Sequence, residues 1–161
     1  MNILELLTML NIKYEIVEHE PVFTVEQAEF VKGLISGVGC KNLFMKNKNK
    51  DYFLIIVDDC KKADMKNIKK VCGTSHLSFA SEEELNNILG LKRGSVSPFG
   101  IINDKKNKVR IIIDKDLKGK RLLFHPNTNT ATISIDYNDL IKFIEYENHK
   151  YFYMEDNQNE K

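Results

Sequence analysis

Three short stretches concentrate the residues that can do chemistry. GCKNLFMK at Gly39 to Lys46 carries an amine and an amide side by side, GSVSPFG at Gly94 to Gly100 is a glycine- and serine-rich loop, and FHPNTNTAT at Phe124 to Thr132 follows a histidine with hydrogen-bonding residues. Each sets Gly, Pro, Asn or His beside an apolar strand-like run, which is how a fold presents backbone amides and a few side chains to a small ligand. His125 has no HxH or HxxxH partner, so a metal site is not indicated, and a lone histidine beside a strand reads first as a hydrogen-bonded structural residue. Its setting raises the case for a functional role. Pro126 fixes the turn, and Asn127, Thr128, Asn129 and Thr130 supply donors and acceptors where a ligand would be read. GxSxG, HExxH, P-loop and GxGxxG patterns are missing from the sequence, so the common signatures of acyl-serine, zinc, nucleotide and dinucleotide chemistry do not apply. Cys40, Cys60 and Cys72 are odd in number and form no CxxC pair, which predicts free thiols.

The elements that must position these stretches follow from periodicity and turn chemistry. Ile3, Leu6, Leu7 and Leu10 fall at helical spacing up to Asn11, and the alternating Tyr14 and Ile16 predict a strand. Thr24 and Gln27 form a capping box for a helix to about Val31, with Gly33, Gly37 and Gly39 marking a flexible connection after it. Asn42 to Met45 and Tyr52 to Val57, with polar Asn47 to Asp51 between them, predict a hairpin. Asp64 is placed to cap a lysine-rich helix ending near Gly73, His76 to Ala80 alternates as a strand, and Ser81 with Glu84 caps a helix stopped by Gly90. Strands are then expected at Phe99 to Ile102, Val109 to Ile113, Arg121 to Phe124 and Thr130 to Ile135, before a last helix capped by Asp136 and running to about Glu147. This order is no steady strand-helix alternation, so the fold class expected is α+β, one domain with a mostly antiparallel, barrel-like sheet flanked by helices. Glu155 to Lys161 reads as a frayed tail.

With 161 residues, 42% of them hydrophobic and 29% charged, the chain has the composition of one globular domain. No run approaches the roughly 20 apolar residues of a membrane span, and no signal-peptide pattern opens the chain, so a cytoplasmic location is expected. A net charge of +1 gives no overall signature of nucleic-acid binding, although lysines cluster at 41 to 50, 61 to 70 and 115 to 120.

GCKNLFMK, LSFASEEELNNILGLKRGSVSPFG and LLFHPNTNTAT, in this order and at this separation, resemble the freestanding prolyl-tRNA editing proteins, the YbaK-like family related to the editing domain inserted in bacterial prolyl-tRNA synthetases. The resemblance runs from about Leu4 to Tyr153 and implies an editing domain over residues 1 to 154. It implies a hydrolase that deacylates mischarged, proline-specific tRNA, without metal or other cofactor, with prolyl-tRNA synthetase or an elongation factor as further partners. The GSVSPFG and FHPxxNTAT forms resemble the branch that clears alanine; the cysteine-clearing branch and a non-catalytic tRNA- or synthetase-binding relative are the alternatives. The resemblance further implies Lys41 and His125 as the catalytic pair. Lys41 would hold a phosphate or ribose oxygen of the terminal adenosine with Asn42 beside it, and His125 would be a hydrogen-bonding pocket wall. Gly94, Ser95, Val96, Ser97 and Pro98 would line the aminoacyl pocket, with Asn129 and Thr130 supporting the wall.

Overall fold

The computed structural model describes residues 2–154. In chain order the elements are α1 (Ile3–Met9), β1 (Glu15–Glu18), α2 (Val25–Lys32), β2 (Val38–Lys46), β3 (Tyr52–Asp58), α3 (Met65–Cys72), β4 (Ser78–Phe79), α4 (Glu82–Leu89), a 3-10 segment Pro98–Asn103, β5 (Val109–Asp114), a short 3-10 turn Lys115–Leu117, β6 (Arg121–Phe124), β7 (Ala131–Asp136), α5 (Tyr137–Tyr146) and β8 (Tyr151–Met154). They form one α+β domain. The strands run β1-β7-β6-β2-β3-β5-β8, with β4 on the side of β2. The sheet is mixed: β2 with β3 and β4, β6 with β7 and β1 with β7 are antiparallel, whereas β2 with β6, β3 with β5 and β5 with β8 are parallel.

YFLIIV at the start of β3 is buried at every position because both faces of that strand are covered. Tyr52, Leu54 and Ile56 join the larger core, while Phe53, Ile55 and Val57 join a smaller one closed by Ile68 of α3. The same alternation divides β2. Cys40, Asn42 and Phe44 lie toward the larger core, and Lys41, Leu43 and Met45 toward α3. β2 also joins the two halves of the sheet, since Val38 and Gly39 pair with β6 and Cys40 to Lys46 pair with β3.

Both predicted capping boxes are present, with the Thr24 hydroxyl accepting from the Gln27 amide and the Ser81 hydroxyl from the Glu84 amide. Gly73 and Gly90 end their helices at φ of 69° and 68°, the left-handed region open to glycine. Three expectations change. Phe99 to Ile102 is not a strand: Pro98 presets the backbone dihedral, the buried Ser97 hydroxyl accepts the Phe99 amide at 3.0 Å, and the chain coils into a 3-10 segment. Phe99 is thereby driven into the core edge-on to Phe124 and Phe143, with ring centroids 5.8 and 5.3 Å away. Only Ser78 and Phe79 of the His76 to Ala80 run pair as strand. Asp136 precedes α5 without a side-chain cap bond, and its carboxylate takes Arg121 at 3.2 Å instead. The segment 155–161, expected to fray, lies outside the described residues.

Candidate active site

Below β2, between α2 and the β6-β7 connection, lies a cavity of about 100 Å³. Val22, Ala28, Val31, Leu123 and Phe124 give it apolar walls, and Cys40, Asn42, His125 and Thr132 bring polar groups to it. Lys32 from α2 and Asp59, one residue beyond β3, meet across its mouth at 2.7 Å. The carboxylate of Asp59 holds the Lys32 amine above its ordinary range against the opposing effect of burial. This pair explains Gly39: a Cβ there would lie 2.2 Å from Asp59 Oδ2 and 2.8 Å from Lys32 Cε, so any side chain pushes the pair aside.

His125 is half-buried at the end of β6. Its Nδ1 donates to the Ala131 carbonyl at 2.9 Å, and no hydrogen bond reaches its Nε2 among the described residues. Burial lowers its pKa first, the Ala131 bond opposes that, and the neighbouring His19 ring, 6.1 Å away edge-on, lowers it further. The result is a neutral imidazole with an unspent lone pair on the cavity, the form suited to accept a proton. His19 donates from Nδ1 to the Glu20 carbonyl at 2.8 Å and accepts the Thr132 hydroxyl on Nε2 at 2.8 Å.

Asn42 carries the other unspent group. Its Oδ1 is buried without a hydrogen-bond partner, a condition that costs about 1–3 kcal/mol unless a ligand supplies a donor. Cys40 is no nucleophile. Burial first, then Asp59, Asp58 and Asp114, push its thiol far above the usual range, so the reactive thiolate is suppressed. Asp58, Asp59 and Cys60 bring three ligand-type atoms together, but Asp59 is committed to Lys32 and Cys60 is exposed.

The residues singled out in sequence do not all converge. Asn42 and His125 line this cavity. Lys41 does not: strand alternation turns it to the α3 side, where its amine donates to the Lys61 carbonyl at 2.7 Å. Gly94, at φ 86°, approaches Asn129, whose Nδ2 donates to the carbonyl of the cavity residue Val22 at 3.1 Å. Ser95 closes a turn onto the Lys92 carbonyl, and Ser97 and Pro98 shape the 3-10 segment. Val96 lines a neighbouring cavity with Asn42, and Thr130 lines a separate hollow beside His19 and Pro126. Sequence reading missed His19, Thr132, Lys32 and Asp59. Thr132 closes the FHPNTNTAT stretch; the other three stand in no motif and meet the site only through the fold.

The aminoacyl-tRNA editing domain model matches residues 19–143. The chain belongs to that family. Editing is hydrolysis of an aminoacyl ester, so membership makes it an aminoacyl-tRNA deacylase. It is 39% identical over 137 residues to the prolyl-tRNA editing protein ProX of Acetoanaerobium sticklandii, covering 84% of each chain. It is 33% identical to the prolyl-tRNA synthetase associated domain-containing protein 1 of Danio rerio, over 90% of this chain and 80% of the relative. Two solved structures share the fold. A hypothetical protein, APE2540, aligns with a TM-score of 0.72 at 14% identity over 92% of this chain and 95% of the other. A candidate trans-editing enzyme for prolyl-tRNA synthetase aligns at 0.68 and 19% identity over 89% and 87%. Among the described residues no helix is long and apolar enough to cross a membrane.

Proposed function

We propose that the chain edits in trans, hydrolysing the ester of alanyl-tRNA of proline identity to free alanine and tRNA. The observation that carries this reading is the small apolar cavity in which a neutral His125 leaves Nε2 unspent beside the orphaned Asn42 Oδ1. The alanyl methyl packs against Ala28, Val31 and Leu123. A prolyl group brings two more ring carbons into about 100 Å³, and stiff walls reject what a synthetase pocket shaped for proline cannot sort, since each methylene changes binding there by only about 1–3 kcal/mol. The reacting bond is an ester, already more labile than an amide, so positioning and one proton acceptor suffice.

In this reading His125 Nε2 takes a proton from a water that the neighbouring ribose hydroxyl orients, as the water oxygen adds to the ester carbonyl. The adduct collapses with cleavage of the acyl carbon to ribose oxygen bond, and the proton passes to the leaving ribose oxygen. Asn42 Oδ1 accepts a ribose hydroxyl, and the Gly94 to Pro98 loop reaches Asn42 through Val96, which lines the neighbouring cavity with it. Lys41 acts from outside the cavity, as an anchor that exchanges the Lys61 carbonyl for a phosphate oxygen. Asn129 and, more remotely, Thr130 support the wall through the Val22 and His19 segments. The name of the Acetoanaerobium relative supports a prolyl-tRNA substrate, and that of the Danio relative supports a synthetase as partner. A tRNA substrate also fits the cytoplasmic location expected from the sequence.

Release of amino acid from alanyl-, cysteinyl- and prolyl-tRNA of proline identity, with chelator present, tests the reading. Rapid loss of alanine alone is expected. Loss of cysteine in its place moves the chain to the sister branch, and no loss from any substrate favours a binding module.

A further inference from the structure

The net charge of +1 conceals two sides of opposite sign. Glu18, Glu20 and Glu26 stand around the groove outside α2, and none of them is in an ion pair among the described residues. The α3 side is the reverse. Lys66, Lys69 and Lys70 fall at i, i+3 and i+4 on one side of that helix, while Ile68 is buried against the sheet from the other. Lys66 and Lys70 are exposed and Lys69 is half-buried. At the C-terminal end of α3, Arg110 from β5 and Lys150 just before β8 line a hollow of about 230 Å³ with Val71 and Cys72. Arg110 is exposed, with its guanidinium carbon 5.8 Å from the centroid of the Phe53 ring. Among the described residues no carboxylate pairs with any of these five cations. Lys32, Lys46 and Lys61, by contrast, are each held by one, at 2.7, 2.7 and 2.6 Å.

We propose that the outer side of α3, together with Arg110 and Lys150, docks the phosphate backbone of the duplex in the tRNA acceptor arm. The inference rests on the tRNA substrate of the reading above and gives the direction in which the body of that substrate leaves the site. Strand register sets this direction. Cys40 pairs with Asp58, so the cavity end of β2 lies beside the end of β3 from which the chain runs on to α3, and Phe53, near the other end of β3, pairs with Arg110. The cations therefore begin near the cavity end and lead away from it along the back of the sheet. Lys41 stands at that beginning, with its amine on the carbonyl of Lys61, three residues before the Asp64 cap of α3. The eight residues of α3 span about 12 Å, a length over which each strand of a duplex carries about three to four phosphates. Ammonium groups on flexible stems follow such a backbone without reading its bases, and the Arg110 guanidinium, set against the Phe53 ring with no carboxylate on its donors, fits one phosphate bidentately. The carboxylates outside α2 repel the same backbone, so the arm is turned toward α3.

The test measures binding of uncharged tRNA of proline identity by fluorescence anisotropy between about 50 and 200 mM salt. The triple variant Lys66→Gln, Lys69→Gln, Lys70→Gln keeps good helix formers on α3, and thermal unfolding checks that it folds. It should bind about tenfold or more weakly at the low salt, and the slope of log K against log salt should become shallower by about 2 to 3. Arg110→Gln with Lys150→Gln should take a further 1 to 2, roughly, from the slope. Lys13→Gln with Lys142→Gln, at exposed positions before β1 and on α5, should leave it nearly unchanged. The saturated single-turnover rate on alanyl-tRNA should stay at the wild-type value in every variant. Wild-type affinity and slope in the triple variant overturn the proposal, and so does an equal loss per lysine in the Lys13 and Lys142 variant. Anisotropy needs no turnover, so weakened binding in the triple variant supports the docking face even if wild type hydrolyses none of the esters and the editing reading fails. Wild-type binding to phosphatidylserine vesicles that exceeds binding to tRNA, and that the triple variant loses, would give the face to a lipid surface and overturn its assignment to RNA.

Discussion

The two faces of β2 carry neighbouring residues of one motif to different environments. On one side Cys40, Asn42 and Phe44 look toward the larger core and the two cavities, and Asn42 Oδ1 is left without a partner. On the other side Lys41 is spent on the Lys61 carbonyl, and Leu43 and Met45 close against the α3 cluster. Lys61 itself is drawn into ion pairs with Asp114 at 3.1 Å and Asp116 at 2.6 Å, which stiffens that side further. Adjacency in sequence is thus a poor guide to shared chemistry within a strand. The face with the unpartnered Asn42 oxygen is the one prepared for a ligand, and the face on which Lys41 and Lys61 are committed is prepared for stability.

Breaking the open face should have the largest effects. His125→Ala removes the only group placed in this account to take the proton, and kcat should fall by about 10²–10⁴-fold with unfolding unchanged in cooperativity, measured by single-turnover deacylation. Ala28→Leu adds three carbons to the wall of a cavity of about 100 Å³, and the alanyl ester should be hydrolysed roughly tenfold more slowly or worse. Gly39→Ala acts one step further out. The new methyl displaces Asp59 from Lys32 and loosens α2 over the cavity, so activity should drop severalfold while stability changes by only about 1 kcal/mol, because the pair it breaks is partly solvated. A fall in stability with activity retained would show that the pair serves the fold alone.

The smallest effect sharpens the comparison from within the open face, at a carboxylate already committed to Lys46. The Lys46 ammonium first, then the Ser81 amide and the Tyr52 hydroxyl, hold the Glu84 carboxyl down at about 2. A carboxyl depressed in the folded state contributes stability that is fully present above its ordinary value of 4.5 and is lost as pH falls toward 2. Glu84→Gln should therefore lower Tm at pH 7 and converge with wild type near pH 2. A constant difference across that range would assign the loss to packing.

Much of the fold was legible because its signals are local. The two capping boxes, the β2-β3 hairpin and the glycine helix stops each need only a few neighbouring residues to specify them. What was not legible depends on distant partners. The parallel pairs β3-β5 and β5-β8 join segments far apart in sequence, and YFYM of β8 is too short to show a period by itself. Phe99 to Ile102 has strand-like composition, yet Ser97 and Pro98 coil it locally, and the core supplies aromatic partners from β6 and α5. In the site, Asn42 and His125 stood in recognisable stretches. Lys32 and Asp59 meet only because α2 folds over the end of β3, and His19 gains its place through Thr132, 113 residues away.

The most direct test of the open-face account is single-turnover hydrolysis of alanyl-tRNA of proline identity by Asn42→Ala and Lys41→Ala, measured side by side at low and high salt. The account predicts that Asn42→Ala lowers the rate constant at saturation by roughly tenfold or more at either salt concentration, from loss of a positioned acceptor. It predicts that Lys41→Ala leaves that constant nearly intact, weakening binding mainly at low salt. A salt-independent collapse of the saturated rate in Lys41→Ala, with Asn42→Ala close to wild type, would place the chemistry on the α3 face of β2 and contradict it.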